Sequence, residues 1–293
     1  MRAALLVVLL VMVALAVGCS NGGADSSKML DIADIGWTEN TAVSALTGVL
    51  LEDQLGYQQV TVHTKDLDSV YGSVATGELN AFEDVWLPNQ RDKLGSVEDN
   101  VEVLSYWYEG QTKQGIAVPS YMDTTSLEQL DKSQADLILG IEPSSVVMEK
   151  VYDDVIPAYG LHQDLVAAPT DGMLTEVDKL YRNREEFAFL AWAPHWMNQR
   201  YDLRYLEDPK NAFGELNDPA RIATIVSKDL GDRDPEAYAF MKALTLNEDQ
   251  LDDLESTINE EGDPRKGARA WAEENREVWQ PWVEAARNAQ EKA

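Results

Sequence analysis

From Met29 onward the chain alternates short apolar runs with longer stretches in which apolar residues recur every three or four positions. "MLDIADIGW" reads as a buried strand ending in a glycine turn, and "TENTAVSALTGVLLEDQLG" as a helix closed by Gly56. "YQQVTVHTKD" is a second strand, "LDSVYGSVATGEL" a helix closed near Gly77, and "NAFEDVWLPN" a third strand. Strand and helix in this alternation predict a mostly parallel sheet. The same order returns at "ADLILGIEP", "SSVVMEKVYDDVIPAYGL", "DLVAAP", "TDGMLTEVDKLYRN" and "EFAFLAWAP".

The repeat has a measurable period. Gly36 to Trp86 spans 50 positions and Gly140 to Trp192 spans 52, and each interval ends in Trp-x-Pro. Two similar α/β lobes are therefore predicted. In open sheets of this kind ligands sit beyond the carboxyl ends of the strands, where Trp37, Trp86, Gly140, Ile141 and Trp192 all fall. The extended run "TKQGIAVPSYM", Thr112 to Met122, reads as the crossing from one lobe to the other, with a return near "ARIATIVSKDL". These signals divide the chain into lobe one, residues 30–117 and 220–293, and lobe two, residues 118–219. The tail after Asp234 is helical by period and is expected to cover lobe one. Its Trp271, Trp279 and Trp282 lie at amphipathic spacing and read as core, as does Trp107 in the strand "VEVLSYW".

The first residues change the picture of where the protein works. Fifteen apolar residues, Ala3 to Val17, follow one arginine and precede Gly18-Cys19. That run is short for a membrane span and has the layout of a secretory signal, residues 1–18. Cys19 is the single cysteine, so no disulfide is possible. "LAVGC" resembles a bacterial lipobox, which implies lipidation of Cys19, membrane anchoring, and a flexible tether over residues 19–29.

Net charge is −28, from 52 acidic and 24 basic residues. With no basic patch to release counterions, nucleic acid is not expected as a partner. The acids are spread through the helices, as on a solvated surface. Such a surface also suits a salty exterior, where screening removes self-repulsion.

Tryptophans at facing strand ends point to a particular chemistry. Indole faces carry negative potential, and a ring of them favours a cation with no hydrogen-bond donors, at about 0.5–2 kcal/mol per contact. Ammonium or a free amino acid would leave N–H groups unpaired there, at about 1–3 kcal/mol each. The turn Gly140-Ile141-Glu142-Pro143 supplies the opposite pole: Pro143 suits the first position of a helix, and the amides before it are expected to meet a carboxylate. Arg91 offers a bidentate fork to the same carboxylate, or pairs with Asp84 or Asp92. His195 either braces the Pro194 turn or touches ligand. A zwitterion with a methylated cation fits both poles. Hydrolysis by a carboxylate pair such as Glu39 and Glu83 is the enzymatic alternative, and nothing selects those two among the acids. His63, His162 and His195 are scattered, with no metal-ligand spacing. No enzyme activity, metal or cofactor is expected.

Five ordered stretches, "GWTENTAVSALTGVLLEDQLGY", "VYGSVATGELNAFEDVWLPN", "QGIAVPSYM", "GIEPSSVVMEKVYDDVIPAYGL" and "AWAPHWMNQRYDLRYLEDPKNAFG", resemble the glycine betaine-binding proteins of ABC importers over about residues 30 to 230. The resemblance implies a type II periplasmic binding protein fold, two α/β lobes joined by a two-segment hinge with the ligand cleft between them. It implies an aromatic cage of Trp37, Trp86 and Trp192, with the backbone amides of Gly140 and Ile141 on the ligand carboxylate. Members of the family often carry histidine where this chain has Arg91, a longer donor. The resemblance further implies a monomeric, exported receptor that hands a betaine to a membrane permease, with choline, carnitine or proline betaine as other ligands and a sensory receptor domain as another use.

Overall fold

The computed structural model describes residues 28–292. The signal segment, Cys19 and nearly all of the tether lie outside the described residues.

Among the described residues, ten strands form two five-stranded sheets. The first contains β1 (Met29–Asp34), β2 (Gln59–Thr64), β3 (Ala81–Leu87), β4 (Val101–Tyr106) and β10 (Arg221–Ser227), ordered β2-β1-β3-β10-β4. The second contains β5 (Lys113–Pro119), β6 (Leu137–Leu139), β7 (Asp164–Val166), β8 (Ala188–Ala193) and β9 (Leu203–Tyr205), ordered β7-β6-β8-β5-β9. The two orders are the same pattern. In each, three parallel strands are followed by one antiparallel strand that has crossed from the other half of the sequence, then by an edge strand. Strands β3 and β8 are buried along nearly their whole length, as expected for sheets covered on both faces.

Here the expected lobe boundary needs correction. β5 pairs with β8 and β9 from Lys113 onward, so the crossing lies before Lys113 and not at residue 117. The run Thr112–Met122 looked like a linker because it carries little alternation, yet a central strand buried on both faces has no need of alternation. The return segment likewise ends before β10, which belongs wholly to the first sheet. The two crossings are clasped side by side: Thr112 Oγ1 donates to the Ala220 carbonyl at 2.9 Å and accepts from the Ala220 amide at 2.6 Å.

The helix Thr38–Leu55 is apolar on almost every face because it lies between the first sheet and the C-terminal helices. Those helices, Glu248–Glu261, Pro264–Glu274 and Arg276–Gln290, bury Trp271, Trp279 and Trp282. The helical run that follows β6 starts at Val146, with Ser145 as its cap, and not at Pro143. Ser145 Oγ accepts from the Met148 amide at 3.3 Å.

Candidate functional site

Both sheets point the carboxyl ends of their parallel strands at one cleft. Between β1 and the helix Thr38–Leu55 the chain must reverse over Ile35-Gly36-Trp37. Gly36 makes this possible at φ 86°, a conformation that costs a side chain dearly. Asp34 pins the turn, its Oδ1 accepting from the Gly36 amide at 2.7 Å and its carboxylate from Thr41 Oγ1. Asn40 ties the Ile35 amide to the helix at 2.9 Å. Trp37 is thereby fixed at the rim of lobe one. Trp86 is the penultimate residue of β3 and Trp192 that of β8, and each strand ends at a cis X-Pro bond, Leu87-Pro88 and Ala193-Pro194.

The three indoles line one small cavity between the two sheets. The wall is completed by Ile141, Val146, Val147, Leu190 and Ala191, and by the polar residues Glu39, Asn89, Gln90 and Gln114. Trp37 is 8 % exposed, Trp86 4 % and Trp192 6 %, so the ring faces are nearly dry. No cationic side chain lines the cavity.

Of the other residues singled out in the sequence, three are not in this wall. Arg91 is exposed and lines an adjoining surface cleft with Asp92, Glu149 and Asp153, a cleft that shares Asn89 and Val146 with the cavity wall. Its helix, Arg91–Gly95, turns away after the Asn89-Gln90 corner, so it is Asn89 and Gln90 that reach the cavity. Gly140 gives its amide to the Val166 carbonyl at 2.8 Å, an extension of the sheet ladder that leaves nothing for a ligand. An added Cβ at Gly140 would run into Met148 Sδ and Cε, so glycine is there for packing. His195 is buried behind Trp192, edge to face with it at 4.7 Å. Its Nδ1 accepts from the Met197 amide at 3.0 Å, which fixes the proton on Nε2, and Nε2 meets Thr38 Oγ1 at 2.8 Å. Burial pushes the imidazole down to about 3, so it stays neutral. His195 thus bridges the lobes and also holds the Pro194 turn.

The cavity has donors that sequence reasoning passed over. Gln90 Oε1 is occupied by Tyr71 Oη at 2.6 Å and the Trp86 amide at 3.2 Å, which leaves its NH₂ as the available group. Gln114 sits opposite Trp192 in the β5–β8 ladder, so both side chains leave the sheet on the same face. Val146 and Val147 open the helical run and, as its first residues, have no acceptor within it. The antiparallel register that puts Gln114 beside Trp192 is a long-range pairing that no local pattern announces.

Glu39 is the one acid in the wall. It lies in the first turn of the helix Thr38–Leu55, its Oε2 accepts from Trp192 Nε1 at 3.0 Å, and its Oε1 has no partner. Burial, reinforced by Glu142 and Asp34, raises its carboxyl to about 7 against the Trp192 bond that lowers it. Glu83 does not share the cavity. It is buried in lobe one with Oε1 accepting from Thr47 at 2.8 Å.

Residues 28–274 match the family described as the substrate-binding domain of ABC-type glycine betaine transport systems. The chain is 26% identical to lactococcal OpuAC, crystallised closed on glycine betaine, with a TM-score of 0.76 over 87% of this chain and 99% of that one. The glycine betaine/L-proline-binding protein ProX of Borrelia burgdorferi is 23% identical, with a TM-score of 0.78 over 88% of this chain and 100% of its own. At that identity the likeness shows the two-lobed fold alone. Among curated proteins, the glycine betaine/carnitine transport binding protein GbuC of Listeria monocytogenes is 27% identical over 150 residues, 50% of this chain. The match spans about half, 49%, of that relative's length.

Proposed function

The chain belongs to the family of substrate-binding domains of ABC-type glycine betaine transport systems, and on that premise we propose that it captures glycine betaine or a close relative between its lobes for delivery to a membrane permease. Proteins of this kind work outside the cytoplasm. Anchoring through lipidated Cys19 and action as a monomer belong to the same proposal.

One observation carries the reading. Three indoles, Trp37 and Trp86 from lobe one and Trp192 from lobe two, surround a single cavity that has no cationic side chain. A quaternary ammonium has no N–H to donate and is held by faces of negative potential, which the three indoles offer. The carboxylate end is assigned to the free amides of Val146 and Val147 and the carboxamides of Asn89, Gln90 and Gln114, in place of Arg91 and Gly140. Because the cage is divided between lobes, ligand favours the closed form by its extra contacts there. Three cage contacts and a paired carboxylate support micromolar binding, about −8 kcal/mol.

Choline is a second reading, favoured by the unpaired Glu39 Oε1, which would accept from a hydroxyl and repel a carboxylate placed beside it. Calorimetric titration with glycine betaine, proline betaine, carnitine and choline decides between them. Glycine betaine is expected to bind tightest, and Trp192→Ala to weaken it at least tenfold. Absence of binding by all four, or an unchanged affinity in the variant, overturns the proposal.

A further inference from the structure

Buried indole N–H groups favour acceptors. Trp271 Nε1 is buried without one, whereas Trp107, Trp279 and the cage tryptophans find theirs in two different ways. In the packed interior, Trp107 Nε1 donates to the Glu83 carbonyl at 2.7 Å and Trp279 Nε1 to the Ala272 carbonyl at 2.8 Å. The cage tryptophans use carboxylates instead. Trp37 Nε1 donates to Glu142 Oε2 at 3.2 Å, Trp86 Nε1 to Asp84 Oδ1 at 2.9 Å, and Trp192 Nε1 to Glu39 Oε2 at 3.0 Å.

Two of these bonds cross the cleft, in opposite directions. Trp37 of lobe one reaches Glu142 of lobe two, and Trp192 of lobe two reaches Glu39 of lobe one. Glu142 is set in place by its own lobe: Oε1 accepts from the Thr170 amide at 2.8 Å and Oε2 from Thr170 Oγ1 at 2.9 Å. Glu39 is placed at the cleft by the first turn of its helix, which fixes its backbone. Glu142 does not depend on the opposite indole for its position and is a fixed receptor for Trp37 when the lobes close, whereas the Glu39 side chain has Trp192 Nε1 as its one hydrogen-bond partner. An indole that donates to a carboxylate also gains electron density on its face, which strengthens its attraction for a cation.

We propose that Glu39 and Glu142 are positioning residues, each orienting the cage indole of the opposite lobe, so that closing the cleft and completing the cage are one event. The inference rests on the quaternary-amine reading of the cavity. It adds two acids that set the geometry of rings they do not themselves resemble in role.

Double-mutant cycles test it, with calorimetric affinity for glycine betaine and an interlobe fluorescence-transfer distance as readouts. Glu142→Leu is expected to weaken binding about tenfold and to reduce ligand-induced closure in the otherwise native protein. In a Trp37→Phe background, which keeps a ring and removes the N–H, the same change is expected to alter affinity less than twofold. Glu142→Gln retains an acceptor oxygen and the Thr170 contact, and is expected to recover most of the loss. Glu39 and Trp192 form the matching cycle. Equal losses in both backgrounds would show that the acids act only through packing and would overturn the inference while leaving the binding function intact. Should Glu142→Leu fail to fold, the cycle is run with Glu142→Ala, which also removes the acceptor; coupling to Trp37→Phe of at least about threefold is expected, and its absence refutes the inference. If the native protein binds no quaternary amine, both readings fall together.

Discussion

The decisive physical question is whether the cavity recognises charge or merely shape, and it can be put to the ligand without touching the protein. 3,3-Dimethylbutanoate has the outline of glycine betaine with carbon in place of nitrogen. Its carboxylate meets the same donors and its three methyl groups fill the same volume, so the change removes only the positive charge. Each of the three rings is at most 8 % exposed, which places the cation contacts near the desolvated end of their range. At about 1–2 kcal/mol apiece they sum to about 3–6 kcal/mol, two to four powers of ten in affinity. Glu39 adds to the preference in whatever fraction is ionised. Competition calorimetry against glycine betaine measures the difference directly. An analogue that binds within about threefold of glycine betaine would refute the cage argument, because packing and the carboxylate would then account for the whole affinity.

Arg91→Ala is expected to leave glycine betaine affinity within twofold by calorimetry, since the side chain faces an adjoining surface cleft; a tenfold loss would return Arg91 to the carboxylate. Glu39 is raised to about 7 in the closed form by burial, with Glu142 and Asp34 adding to the effect, and Asp84 and Glu255 are crowded by Glu39 in turn. Opening the cleft hydrates Glu39 and lowers its carboxyl toward the ordinary range, so closing takes up a proton. Closure of the ligand-free protein is thus most favoured below about pH 4, loses ground as pH rises toward 7, and is constant above; interlobe fluorescence transfer between pH 5 and pH 8 reads this, and Glu39→Gln should flatten it. Glu83 is raised to about 8 by burial, opposed only by its Thr47 bond. The folded state therefore holds a proton that the unfolded chain releases above about pH 4.3, and stability falls from there to pH 8. Relative to its effect at pH 5, Glu83→Gln is expected to be stabilising by about 4 kcal/mol in urea melts at pH 9, and an unchanged difference between the two pH values would count against that burial penalty.

Much of this arrangement was legible in the chain because its local signals agree with one another. Gly36, Gly56 and Gly77 mark turns that the structure places at positive φ, and the fifty-residue recurrence of Trp-x-Pro is the trace of two sheets with one topology. The convergence of Trp37, Trp86 and Trp192 followed from strand ends alone. What failed to show was anything set by pairing between distant segments. Gln114 reaches the cavity only because β5 runs antiparallel to β8, and Gly140 loses its amide only because β7 continues the ladder to Val166. Arg91 was attractive as a charge near a cage residue, but a five-residue helix beginning there turns it outward. Glu39 stood out only as one acid among 52, since nothing in its neighbours records that Trp192 will meet it.

The acids around the cage also bear on how a receptor avoids closing empty. Besides Glu39 and Glu142, the closed form brings Glu255 of a C-terminal helix onto the Trp196 amide at 2.7 Å, and Asp252 onto Gln199 at 2.5 Å. Glu255 is wholly buried, and burial together with Glu39 holds its carboxyl well above the usual range. These contacts supply donors to each acid but no cation. Glu39, Asp84 and Glu255 all belong to lobe one, and without ligand, shutting the cleft covers them from water, where they must take up protons or repel one another. A quaternary nitrogen entering the cage is the one charge of opposite sign at hand, so it relieves a penalty that a neutral molecule of the same shape leaves standing. The differential favouring closure thus has two parts, the cation's attraction to the ring faces and its easing of the acids behind them. Both vanish for an uncharged cargo, and a permease that recognises the closed form would accordingly be presented with a filled receptor.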